Sequence, residues 1–288
     1  MRILITGGRG QLATDLVPAL ADHAVTALGR DQLDIANPDQ VEAAFRELRP
    51  DVIVNTAAFH KVDLCETEPE SSFTVNAAVP QRLARAARDT GALLVHFSTD
   101  YVFDGHQHIP YRETDPVNPI SVYGASKAAG EMAIRATTDR HLIIRTSGLY
   151  GHAGATTAHG NFPTTMLRLA AAGGPISVVD DQVLTPSATL DVARATAGLL
   201  DTQATGTFHV TNSGECSWYQ FAAELFRLAG VDADVRPVSQ GERPVPARRP
   251  AYSVLAHEGI MRLGLPDIRP WQEALGDYVR GLQGRVTT

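Results

Sequence analysis

The chain has 288 residues, 44% of them hydrophobic, and a formal net charge of −7 at pH 7. That is enough apolar material for one or two domains with a large core, while no run of about 18 apolar residues offers a membrane-spanning helix. An acidic balance without a basic block argues against a nucleic-acid surface, and the two cysteines, Cys65 and Cys216, lack metal-ligand spacing and read as buried free thiols of a reducing cytosol.

In chain order, "RILIT" (2–6), "AVTAL" (24–28), "DVIVN" (51–55), "LLVHFS" (93–98) and "HLIIRT" (141–146) read as strands. They are near-continuous Val/Ile/Leu runs, the pattern of strands covered on both faces. Met1 leads directly into the first of them, so no signal peptide is expected. Helical stretches alternate with the strands. "QLATDLVPAL" follows a glycine turn, "NPDQVEAAFREL" has Asn37 as N-cap with Pro38 at the first helical position, and "EPESSFTVNAAVPQRLARAARDTG" ends at Gly91. Such alternation predicts an α/β fold, a Rossmann-type doubly wound parallel sheet. Beyond residue 150 come a Gly/Ala/Thr/His loop (151–161), expected to be mobile without ligand, and a helix "FPTTMLRLAAAGG". One more helix and strand of the sheet follow ("TLDVARATAGLLD", "GTFHVT"), then an amphipathic helix "SWYQFAAELFRLAG" and the Pro/Arg-rich "RPVPARRPAYSVL". The expected division is 1–147 plus about 186–211 as a dinucleotide-binding domain. Residues of about 148–185 and 212–288 would form a smaller, partly interleaved substrate-binding region.

"ITGGRGQLA" sets Gly7, Gly10 and Ala13 between the first strand and the first helix. Gly7 permits a tight turn, Gly10 lets backbone approach a pyrophosphate, and a small residue at 13 lets helix pack on strand. Gln11 and Leu12 open that helix and join the cofactor set. At the end of the second strand "LGRDQLD" offers Arg30, which pairs with a 2′-phosphate and favours NADPH, while the adjacent Asp31 leaves NADH open; Asp34 and Ile35 are placed to flank the adenine.

"SVYGASKAAGE" carries Tyr123 and Lys127, four residues and about 400° apart on a helix, hence on one face. A chance pair of this kind is common on surface helices. Here it comes one helix after "HFSTDYVF", which ends the fourth strand with Ser98 and Thr99 at the carboxyl edge where ligands of such sheets bind. A phenol that protonates a carbonyl oxygen needs its pKa, near 10 when unperturbed, brought toward working pH. A neighbouring ammonium and the nicotinamide charge would do this, Lys127 could hold the cofactor ribose, and Thr99 could orient the carbonyl.

These segments, together with "DVIVNTAA", "IIRTSGLYG", "NFPTTMLRLA" and "RRPAYSVL", resemble the extended short-chain dehydrogenase/reductases, and among them the dTDP-4-dehydrorhamnose reductase family, over nearly the whole chain. The resemblance implies reduction of the 4-keto group of a dTDP-4-keto-6-deoxyhexose by NAD(P)H, with Tyr123 as acid, Lys127 its partner and Thr99 the third catalytic hydroxyl. It adds Asn55, Ala57, Ala58 and Asn76 to the cofactor site, and Asp100, Tyr101 and Val62 near the substrate. The related 4,6-dehydratases carry an Asp-Glu pair after the threonine. Here Tyr101 follows Asp100, which argues against dehydration.

The chain also departs from the family pattern. Gly148 stands where a tryptophan normally lies beside the hexose, leaving room for a bulkier or differently oriented sugar, and His60 stands where a small hydroxyl residue is common. Asp15 matches a magnesium-binding position of some members, but Leu190 stands at another, so no metal site is expected. Of Arg243, Arg248 and Arg249, Arg249 is the first choice for the substrate pyrophosphate, with Asn161 and Met166 on the nucleotide side. Trp218 and Trp271 read as packing residues. A homodimer is compatible with all of this. An epimerase that retains NAD and a non-catalytic NAD(P)-binding regulatory subunit are the competing readings. The intact Tyr/Lys/Thr set argues against the second.

Overall fold

The protein is described from a computed structural model covering residues 1–155, 160–242 and 245–286. Six parallel strands form its main sheet: β1 (Arg2–Thr6), β2 (Ala24–Leu28), β3 (Val52–Asn55), β4 (Leu93–Thr99), β5 (His141–Thr146) and β6 (Gly206–His209). Their order is β6-β5-β4-β3-β1-β2. The doubly wound parallel fold expected from the sequence is what forms. The chain runs outward in one direction to β2 and in the other from β3 onward, so the β1/β3 boundary is a switch point, and a crevice opens beyond the carboxyl ends of these two strands.

Side-chain alternation explains why the strands read as unbroken apolar runs. Ile3, Ile5, Val52, Val54, Val95, Leu142 and Ile144 enter one core with helices Gln11–Ala19 and Thr189–Asp201. Leu4, Ile53, Leu94 and Ile143 enter the core on the other face with helices Pro38–Leu48 and Val79–Thr90. Both faces of the sheet are therefore dry. Asn37 caps its helix, accepting from the backbone of Asp39 and Gln40, and Gly91 closes another at φ 73°.

The long helix expected up to Gly91 is not uniform. Helical turns Pro69–Phe73 and Val79–Thr90 flank a π segment, Thr74–Ala78. Pro80 has no N–H to return to the carbonyl of Asn76, so the ladder widens there. The freed Asn76 carbonyl is packed by Gly130, where a Cβ would lie 2.1 Å from it.

A second core gathers Tyr150, Met166, Ile176, Phe221, Leu225, Trp271, Leu275 and Tyr278. Helices Phe162–Ala172, Trp218–Ala229 and Trp271–Val286 build it, with a parallel ribbon of Ile176–Val179 and Val235–Val238. The chain leaves the main sheet after β5, returns for the helix before β6, and leaves again. Among the described residues no helix is long and apolar enough to cross a membrane.

Candidate active site

The glycine turn sits at the switch point. Gly7 has φ 73°, and a Cβ there would lie 2.8 Å from Thr56 Oγ1 and 2.9 Å from the Ala57 nitrogen. Only glycine satisfies both the conformation and the contact. Gly8 packs equally tightly on Ala27 and Leu28, a constraint the motif spacing does not announce. Helix Gln11–Ala19 follows with no side-chain cap and no acidic residue in its first turn, so its N-terminal amides face the crevice without competition from a carboxylate.

The catalytic candidates are brought together by close backbone packing. Helix Val122–Arg135 is capped by Ser121, whose hydroxyl accepts from Gly124 N, and a Cβ at Gly124 would lie 2.1 Å from the Tyr101 carbonyl. Glycine at 124 lets the helix start press on the turn after β4, which delivers Tyr123 to Thr99. The Tyr123 ring stands edge-on to Tyr101, with centroids 5.8 Å apart. Burial pushes the Tyr123 phenol above its ordinary range, with a hydrogen bond to Thr99 working the other way. Lys127 is 2% exposed; its Nζ donates to the Phe97 carbonyl at 2.5 Å and lies 3.2 Å from His96 Nε2. Burial lowers Lys127 to about 8, against the pull of Glu131. Glu131, one turn further along, is gripped by Arg145 of β5 at 2.9 and 2.7 Å and by Arg135 at 2.7 Å, which locks helix to sheet behind the lysine.

Asp100 is fully buried and already occupied. Its carboxylate accepts from Thr99 (2.9 Å), Ser147 (2.8 Å) and Ser253 (2.6 Å), joining β4, the end of β5 and the C-terminal segment. Burial raises its pKa, opposed by these three hydroxyls.

A cavity of about 580 Å³ collects most of these groups. Gly10, Gln11, Leu12, Ala58, Ser98, Thr99, Tyr123 and Lys127 line it, and so do His60, Val62, Asp100, Tyr101 and Gly148. Gly7, Asn55, Ala57 and Asn76 stand behind that lining. Asn55 Oδ1 holds the Ala57 amide, and Asn76 bonds both the N–H and the carbonyl of Phe59, fixing the loop after β3. Arg30 is exposed past β2; Asp34 is half-buried, its side chain holding Ala36 N, and Ile35 is buried. Among the buried oxygens of the lining that find no hydrogen-bond partner within the described residues are Gln11 Oε1 and Thr146 Oγ1, orphans that a polar ligand would satisfy.

Three substrate candidates lie elsewhere. Arg249 does not line the cavity; it pairs with Asp63 at 2.8 Å and donates to the Ala247 carbonyl. Asn161 is the N-cap of helix Phe162–Ala172, in a capping box with Thr164, and its amide also reaches Gly151 and Tyr278. Met166 belongs to the second core. Arg243 and part of the 151–161 loop fall outside the described residues. Trp218 packs on the second core against Phe162 and Phe221, as read from the sequence, and also lines the cavity, its indole 3.5 Å from where a Cβ on Gly148 would stand. No local signal marks it, because its approach to residue 148 depends on the second core. Asp15 is bonded by Thr189, and among the described residues no three His, Cys, Asp or Glu side chains converge as metal ligands would. A larger cleft of about 1060 Å³ opens at the opposite, amino end of the strands, lined by Arg2, Arg49, Arg85 and Arg140 among others; it contains neither the glycine turn nor the Tyr/Lys pair.

A glycine turn beside a Tyr/Lys/Thr cluster at the carboxyl edge of a parallel sheet is the arrangement of a short-chain dehydrogenase/reductase-type site. The family model described as "RmlD substrate binding domain" matches residues 1–283. A "dTDP-4-dehydrorhamnose reductase" of Streptomyces griseus is 43% identical over 294 residues, covering 99% of this chain and 95% of that one. The "Spore coat polysaccharide biosynthesis protein SpsK" of Bacillus subtilis is 41% identical over 281 residues, 97% of each chain. A dTDP-4-dehydrorhamnose reductase of Bacillus anthracis, solved in complex with NADP, superposes with a TM-score of 0.92 at 37% identity, over 96% of this chain and 98% of that one. The chain belongs to the dTDP-4-dehydrorhamnose reductase family.

Proposed function

We propose that the protein is an NADPH-preferring reductase that converts the 4-keto group of a dTDP-4-keto-6-deoxyhexose to a hydroxyl. The observation that carries this reading is the lining of one cavity by the helix opening at Gln11 and by Thr99, Tyr123 and Lys127. The residues fit a dinucleotide: Gly7 and Gly10 leave room for its pyrophosphate, the capless helix start faces it, and Gln11 and Thr146 offer unmatched oxygens. The reduced nicotinamide would supply the hydride. Exposed Arg30 would meet a 2′-phosphate, with Asp34 and Ile35 along the adenine.

Tyr123 donates its proton to the carbonyl oxygen as hydride reaches carbon, and its buried position keeps that proton in place until then. Thr99 would orient the same oxygen by turning its hydroxyl proton from Asp100, to which it donates at 2.9 Å in this structure. The Lys127 ammonium stabilises the phenolate that forms. On the sugar side, His60, Val62, Tyr101, Gly148 and Trp218 enclose the hexose. Arg249 would reach the pyrophosphate by exchanging Asp63 for a phosphate oxygen, while Asn161 and Met166 support the wall from behind. Two buried unpaired cysteines suit a cytoplasmic enzyme, and neither a metal nor a second subunit is required by these roles.

Purified protein should oxidise NADPH only when given a dTDP-4-keto-6-deoxyhexose, at a rate indifferent to a chelator, with the C4 configuration of the product read by NMR. Tyr123→Phe should lower kcat by about 10²- to 10⁴-fold. Unchanged turnover in that variant would remove Tyr123 as the acid.

A further inference from the structure

Behind Lys127 the sheet interior holds a line of polar side chains, Thr6, Asn55 and His96, none of which takes part in the proton transfer described for Tyr123. His96, in the middle of β4, is 0% exposed and stands opposite Asn55 in strand register, which in turn stands opposite Thr6. Thr6 Oγ1 donates to Asn55 Oδ1 at 2.7 Å, and the same oxygen accepts the Ala57 backbone N–H at 3.2 Å. A backbone N–H can only donate, so this bond decides which end of the Asn55 amide is oxygen. The other end, Nδ2, lies 3.0 Å from His96 Nδ1 and donates to it. Nδ1 is then the acceptor of a neutral imidazole, and the ring proton sits on Nε2. That Nε2–H points at Lys127 Nζ, 3.2 Å away. A neutral amine meets it with a lone pair, whereas an ammonium has only hydrogens to offer.

We propose that His96 is a positioning residue whose tautomer, set by Asn55, disfavours the ammonium form of Lys127 and so makes the lysine a group that gains and loses its proton readily. His96 does not take up the charge itself, because burial and then the Lys127 charge push its pKa well below the usual range. The remaining titratable groups around the amine act in the known directions. Glu131, on the same helix, favours the ammonium, but its carboxylate is shared with Arg145 and Arg135. Tyr123 lies one turn before Lys127, with Asp100 and Tyr101 from the turn after β4 and Cys65 from helix Val62–Thr67 facing that phenol. Among the described residues, His96 alone presents a donor to Nζ from the sheet side.

The kinetic consequence rests on the proposed role of the Lys127 ammonium in stabilising the Tyr123 phenolate. Rate should fall as Lys127 loses its proton, giving an alkaline limb, and replacing His96 by a residue that can accept from Nζ should move that limb upward.

Two measurements test the proposal on the intact protein. Nitrogen-15 NMR of the histidine rings, with the His96 resonance assigned by through-bond correlation in the wild-type protein, should show a neutral ring protonated on Nε2 between about pH 6 and 8. A ring protonated on Nδ1, or an imidazolium, overturns it, and this readout does not depend on the variant folding. The Lys127 Nζ titration, followed by NMR without substrate, and the alkaline limb of kcat should both rise by about one pH unit or more in His96→Gln, a tenfold change in the protonation equilibrium. A lower kcat with both titrations unmoved means that His96 is merely structural. Because the Nζ titration is read with no substrate present, failure of this coupling is distinguishable from failure of the reductase reading, which would appear as absent turnover in the wild-type protein.

Discussion

The two walls of the cavity are built on different terms. The wall proposed to hold the nucleotide is the carboxyl edge of the sheet: Gly7 and Gly10 after β1, Asn55 to Ala58 after β3, Ser98 and Thr99 at the end of β4, and Tyr123 and Lys127 on the next helix. Every one of these positions follows from strand register or a single helix turn. The wall proposed to face the sugar is assembled from the loop around His60, the turn at Gly148, Trp218 from the second core and, behind them, Arg249 and Asn161. Several of its polar side chains already have protein partners, Arg249 with Asp63 and Asn161 with its own helix. A wall of the first kind holds its groups in place before ligand arrives, whereas one of the second kind can exchange partners. Under the proposed function, chemistry would be fixed on one side and specificity adjustable on the other.

The comparison can be broken most forcefully at the anchor of the fixed wall. Arg145→Met leaves the Glu131 carboxylate buried without its main partner, and unfolding stability should fall by about 3–5 kcal/mol in urea titrations. A loss below about 1 kcal/mol would mean that Glu131 does not depend on β5. Next in size is Gly7→Ala, which forces a Cβ into Thr56 and a strained φ. The variant should lose roughly 1–3 kcal/mol of stability and bind NADPH at least about tenfold more weakly by fluorescence titration. On the adjustable side, Trp218→Ala should raise KM for the sugar nucleotide by roughly tenfold with kcat changed far less, since it removes surface that contacts ground state and transition state alike. A change in kcat alone would place Trp218 nearer the reacting atoms. The smallest stability effect is expected for Arg249→Gln. Its half-exposed pair with Asp63 is worth about 0.2–1 kcal/mol. If the arginine changes partners on binding, KM should nonetheless rise by an order of magnitude or more, as loss of a charge-assisted hydrogen bond to phosphate implies.

Much of the fixed wall was legible in the chain. "ITGGRGQLA" announces its turn because φ above zero and close backbone approach both demand glycine, and "YGASKAAGE" places two side chains on one helical face by periodicity alone. Asn76 was named for the cofactor on resemblance, yet its amide clamps both backbone groups of Phe59 through a π segment that Pro80 opens; the helical pattern across 68–91 hides that irregularity. Trp218 was read as packing because nothing within its own helix distinguishes a core face from a face that reaches residue 148. His96 was passed over as one polar residue in an apolar strand, and its meaning appears only when Asn55 and Lys127 are seen on either side of it.

The sequence by itself determined the parallel sheet, the glycine turn and the Tyr/Lys spacing, since these depend on local periods, backbone conformations and the burial of whole strands. Only the tertiary structure decided which hydroxyls hold Asp100, which side chains flank His96, and which residues join Gly148 in the cavity lining. Those outcomes depend on contacts between distant segments, such as the 153 residues from Asp100 to Ser253, where no local period or propensity selects the partner.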